Sequence, residues 1–302
     1  MKSSNQIVSE LEYTKYLNLG LSIASVMLHV TTIFFTFHLI YCSKFDKKST
    51  KLDRISNSFF MFLVSRGFGA VLATPYFVYL IAYWSAKGVR NYEPYALLLF
   101  GIGSTIHTFL PTLSALLLTL DRCFALTFPM RYNSPIAKRL PWLTLACYTS
   151  WSIFVTFYVL REIPLEIEKV QNCQFSPCVF VKYRCLVPQY VKLGMAGSNV
   201  IGSCYLMFAM KRNSEKLKND VVKFTVTMDI LLDAIPIFAN SIFISITGFS
   251  PSVYIGQLVN FLAFLNVTVC SLYYSWRLTR RSNGFWIKIC RVDQVTPITS
   301  ST

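Results

Sequence analysis

Asp121 and Arg122 stand side by side where a long apolar run ends, for Tyr95 to Thr119 carries no formal charge. An acid beside a guanidinium at such a point marks a membrane face and can form an ion pair there, since arginine keeps its charge and presents its donors in a planar fork. Four more charges lie within apolar runs: Arg66, Lys192, Asp229 and Asp233. An unpaired arginine at the centre of a bilayer costs about 2.5–3.5 kcal/mol on insertion scales. Two cations and two anions are therefore expected to neutralise one another. Arg66 lies about nine residues into its run, roughly 13 Å deep at 1.5 Å per residue. Asp233 has a similar depth and is the expected first partner, with Asp229 second.

Paired aspartates also raise the question of proton-sharing catalysis, as in aspartyl proteases. Those enzymes bring their carboxylates together from separate segments, whereas Asp229 and Asp233 are four residues apart in one run. The sequence holds no serine-histidine-acid order, no phosphate-cradling glycine loop and no Cys-x-x-Cys pair. It reads as a non-enzymatic protein without a cofactor. The three histidines, His29, His38 and His107, all lie in apolar runs. No metal site is expected, because His29 and His38 are not spaced as an i, i+4 ligand pair and no acidic or thiol cluster completes a set. His107 is instead a candidate for lining a ligand cavity.

These residues need elements to carry them. With 54% apolar and 14% charged residues in 302, the composition is that of a membrane protein. Runs at about 17–41, 57–84, 95–120, 141–160, 188–210, 224–247 and 253–276 are long enough to span a hydrocarbon layer. An all-α seven-transmembrane helix bundle follows for 17–276, after an extracellular N-terminus over 1–16. Proline inside three of the runs, Pro75, Pro111 and Pro236, predicts kinks that buried neighbours tolerate. From Arg277, Leu278, Phe285, Trp286 and Ile289 make one apolar stripe on a basic segment, which predicts an interfacial amphipathic helix over 277–291. Residues 292–302 read as a disordered cytoplasmic tail. Cys290 is a lipidation candidate.

Lysine and arginine set the orientation, since cationic loops are retained on the cytoplasmic side. Of 29 basic residues, 19 fall in loops 42–56, 121–140 and 211–223 and in the tail, against eight in the N-terminus and the other three loops. The N-terminus is thus expected outside. The net charge of +15 is then mostly a skirt facing anionic lipid headgroups, and no nucleic acid is needed to explain it. Cys173, Cys178 and Cys185 share one outer loop on the oxidising side, so a disulfide within that loop is expected, with one thiol left over.

The stretch from Asp121 to Tyr132 resembles the end of the third helix of rhodopsin-like G-protein-coupled receptors. Asp121, Arg122, Ala125, Pro129 and Tyr132 stand at the matching offsets, with Cys123 in place of the usual tyrosine. The chain departs elsewhere: Ala234 replaces the aromatic two residues before the sixth-helix proline, Asn-Pro-x-x-Tyr is missing, and the second helix has no acid. It is more similar to the nematode serpentine chemoreceptors, and Arg66 and the cysteine-rich loop resemble their class BC branch. The resemblance implies a plasma-membrane receptor, borne on a sensory cilium, that binds a small-molecule ligand from outside and activates a heterotrimeric G protein. Asp121, Arg122, Pro129 and Tyr132 would be its coupling switch, with Glu215 or Asp220 as further holders of Arg122. A small transporter or channel is the competing expectation; it calls for an internal repeat, and none is seen in the sequence.

Overall fold

A computed structural model describes residues 4–45, 57–85, 92–127, 135–170, 173, 175–180, 186–212, 220–247 and 257–281. Most of these residues are helical: α1 (Ser4–Phe45), α2 (Asn57–Ala82), α3 (Pro94–Thr127), α4 (Pro135–Leu160), α5 (Leu186–Arg212) and α7 (Leu258–Arg281). Between α5 and α7, the pieces Asp220–Asp229, Ile230–Ala234 and Ile235–Thr247 run on as one rod, α6. A one-turn helix, Ile167–Val170, and a 3-10 turn, Ser176–Val179, lie between α4 and α5. No strand occurs among the described residues.

Among the described residues, six helical stretches are long and apolar enough to cross a membrane: Lys15–Tyr41, Met61–Ala82, Pro94–Phe124, Trp142–Leu160, Lys223–Phe243 and Leu258–Trp276. The expected span at 188–210 falls on α5, which at 27 residues has the length but is not among the six. Gln189, Lys192 and Asn199 dilute its apolar character. Helix α1 begins at Ser4 and so carries most of the polar N-terminal segment as helix.

The pattern on α1 is inside out relative to a water-soluble helix. Ser22, Ser25, His29, Thr32 and Thr36 recur every three or four residues and are buried, while Met27, Val30, Phe34, Phe37 and Tyr41 are exposed. A helix whose apolar face looks outward and whose small polar face looks inward is suited to lipid, where packing and interhelical hydrogen bonds draw helices together. Thr32 on α1 meets Thr268 on α7 in such a bond, 2.9 Å long.

Helix α3 is the axis of the bundle and packs against α2, α4, α5, α6 and α7. Pro94 opens it, where the missing N–H costs nothing. Two glycines let α2 and α3 approach closely. A Cβ on Gly103 would collide with the Leu72 carbonyl, and one on Gly69 with His107 Nδ1. The main core lies beside this seam, with Phe77, Leu97, Leu98, Val155, Val159 and Phe264 essentially without solvent contact.

Candidate functional site

Asp229 and Asp233 of α6 are both buried, and each is held by a different pair of helices. Asp229 Oδ1 accepts hydrogen bonds from Asn266 Nδ2 of α7 at 2.6 Å and from Arg66 Nη2 of α2 at 3.3 Å. The Arg66 guanidinium has no solvent exposure and lies 4.1 Å from the centroid of the Phe62 ring, a cation–π contact that further compensates its lost hydration. Asp233 Oδ2 accepts a 2.6 Å bond from Thr112 Oγ1 of α3, and its Oδ1 lies 3.8 Å from Lys192 Nζ of α5. Lys192 in turn faces the Phe109 ring at 5.5 Å.

The four charges are thus brought together two by two, but the expected first pairing is corrected: Arg66 takes Asp229, and Asp233 belongs to Lys192. The reason lies in the backbone of α6. Ile230–Ala234 forms a π-turn in which the Ile235 N–H reaches back to the Ile230 carbonyl, one residue beyond the α-helical partner. Pro236 follows at once; its ring crowds the carbonyl four residues back and it donates no bond, so a wider turn just before it relieves the clash. The extra residue resets the angle between Asp229 and Asp233, and one faces α2 and α7 while the other faces α3 and α5. Neither is placed to share a proton with the other.

Near the far end of α3, Asp121 is buried and Arg122 Nε lies 3.8 Å from its Oδ2, with the Arg122 side chain 32% exposed. The helix continues for over a turn beyond the pair, to Thr127. Polar contacts bind this end to α5: Thr119 donates to Asn199 at 3.0 Å, and Thr127 and Tyr205 share a 3.0 Å bond. On α6 and α7, Thr225 and Tyr274 are joined through their hydroxyls, and the Phe224 and Tyr273 rings stack with centroids 3.9 Å apart.

Toward the opposite end, the His107 side chain is fully buried. It stacks on Phe264 at 4.9 Å and meets His29 at 5.0 Å, and among the described residues neither imidazole has a hydrogen-bond partner. Above this box the segment between α4 and α5 plugs the bundle. Val179 and Ser176 are buried, the Ser176 N–H donates to Tyr76 Oη at 2.9 Å, and Gln257 Nε2 donates to the same oxygen at 2.9 Å. At the edge of α3, Tyr92 donates to the Leu80 carbonyl at 2.9 Å, and burial pushes its phenol up to about 12.

Cys173, in the plug, is disulfide-bonded. Cys178 is described in its backbone alone, and Pro129, Tyr132, Cys185, Cys290 and Glu215 lie outside the described residues, as does most of the 277–291 segment. The side chain of Asp220 is likewise not described. Asn266 and Thr112, which carry the shortest bonds to the two carboxylates, were not singled out as partners from the sequence. Their signal was present: Asn266 is an amide within an apolar run, where a polar side chain needs a partner.

No family model matches this sequence, and no curated protein is similar enough to it to count as a relative. What the geometry defines by itself is a multi-pass, all-helical membrane bundle with a charged layer in its core.

Proposed function

We propose that the protein is a chemosensory G-protein-coupled receptor of seven spans, with its N-terminus outside, that binds a small-molecule ligand and activates a heterotrimeric G protein. The observation that carries this reading is Asp121–Arg122: a buried carboxylate beside an arginine whose side chain is about one-third exposed, within the last turns of the central helix, at the head of the Asp121 to Tyr132 spacing. An arginine placed so can exchange its intramolecular partner for one on a docking protein. In this reading α5 is the remaining span, the plug over Tyr76 roofs the ligand site, and the ligand biases two packings of the bundle by differential contact alone. The setting is the plasma membrane of a sensory cilium, and the relatives in kind are the nematode serpentine receptors.

The test is a panel of small molecules applied to heterologous cells that express the protein with a calcium reporter. A saturable response that needs the protein and a G protein is expected. The buried charges Arg66, Lys192, Asp229 and Asp233 favour one competing reading, a small transporter or channel, because intramembrane charges also mark substrate paths. Solute flux into sealed vesicles containing the purified protein, without any G-protein response, would replace the receptor reading by that one.

A further inference from the structure

The π-turn at Ile230–Ala234 begins directly after Asp229 and includes Asp233, two carboxylates tied in different directions, and we propose that it makes α6 a two-register switch. In the register seen here, the turn stores one residue more than an α-helix would need. Closing it into α-helix with every residue kept would turn the segment Asp220–Asp229 by about 100° about its axis relative to Ile235–Thr247 and shift it by roughly 1.5 Å. Asp229, just before the turn, would leave Arg66 and Asn266, and Phe224 would leave its stack on Tyr273, while Asp233, near the C-terminal end of the turn, would keep Thr112 and Lys192. Arg66–Asp229 is therefore the inner catch of the switch, placed before the turn, and Lys192–Asp233 holds the turn itself.

The inner catch is built to release. A bidentate arginine–carboxylate fork would be hard to separate, but Arg66 reaches Asp229 through Nη2 alone, at 3.3 Å. Its Nε and Nη1 have no hydrogen-bond partner among the described residues. The guanidinium also rests on Phe62 of its own helix, so part of its compensation stays with it when α6 turns. Single π-turns inside α-helices recur at functional sites, and this one lies directly before a helix-interior proline, where the backbone ladder is already interrupted. The inference is independent of whether the bundle senses a ligand or moves a solute.

Cysteine pairs in the full chain, oxidised in native membranes and mapped by mass spectrometry, test it. The reporter is Phe224→Cys with Tyr273→Cys, whose parent rings are 3.9 Å apart. The control is Thr32→Cys with Thr268→Cys, whose hydroxyls are 2.9 Å apart on α1 and α7. Both bridges are expected in the otherwise native chain. With Asp229→Leu the reporter bridge should fall to a minor fraction while the control persists. Deleting Leu231 from the Asp229→Leu chain lets the turn close as α-helix without rotating its flanks, and should restore the reporter bridge. Four results would each overturn the proposal: no reporter bridge in the native chain, a reporter bridge indifferent to Asp229→Leu, loss of the control along with the reporter, or no recovery on deletion.

Discussion

A guanidinium sealed from solvent in an apolar bundle is tolerable only with its counter-charge, so the Arg66–Asp229 contact sets a stability test at the level of single residues. Removing one member of a buried pair leaves the other uncompensated, at about 3–5 kcal/mol. Arg66→Ala and Asp229→Ala should each lower the yield of monodisperse protein sharply. The double variant should recover part of the loss, with a coupling of about 0.5–3 kcal/mol. Arg66→Ala combined with Asp233→Ala should be close to additive, since Asp233 is held by Lys192 and Thr112. Equal coupling of Arg66 to Asp229 and to Asp233 would contradict the pairing. That these four residues must neutralise one another was legible from their place in apolar runs. Which pairs with which was not, because depth along a helix can be counted from span ends while the angle around α6 depends on a π-turn, and only the proline behind it shows in the sequence.

At the scale of elements, the α2–α3 seam depends on a missing side chain. Gly103→Ala puts a methyl group against the Leu72 carbonyl, and overpacking of this kind costs about 1–3 kcal/mol. A lower thermal midpoint in detergent is expected, whereas Gly194→Ala on α5, where a Cβ meets nothing within 4 Å, should leave it unchanged. The rim of α3 carries a pH dependence. The Tyr92 phenol is raised by burial to about 12 from an unfolded value of about 10, so its folded form favours the neutral, donating hydroxyl. That contribution is complete below pH 10 and is lost as pH rises through 12; Tyr92→Phe should flatten the alkaline limb of a stability profile over this window. In the plug, non-reducing peptide maps should find Cys173 resistant to alkylation until reduced, bridged to Cys178 or Cys185. Helical class and most element positions were legible, because uncharged runs of span length have few other uses. The N-terminal extension of α1 was less so: a polar segment such as Ser4 to Tyr16 can be helix or coil, and continuity with a long helix decides it.

For the whole molecule, burial of small polar residues beneath an apolar exterior on α1, the absence of strands among the described residues and the pairing of the four charges within the apolar runs agree on a membrane bundle. α5 is the element on which the number of spans turns, since its polar residues serve the interior, Lys192 toward Asp233 and Asn199 toward Thr119. The receptor reading rests on the last turns of α3, where a helix-end motif readable in the sequence corresponds to a buried acid with its arginine beside it. The most direct test is Arg122→Gln, which shortens the side chain, removes its charge and leaves Asp121 in place. Ligand-evoked G-protein response, divided by the number of receptors at the cell surface, should be largely lost while surface expression and ligand binding persist. A normal response per receptor, with only expression reduced, would show that Arg122 merely anchors the helix end at the headgroups and would contradict the switch.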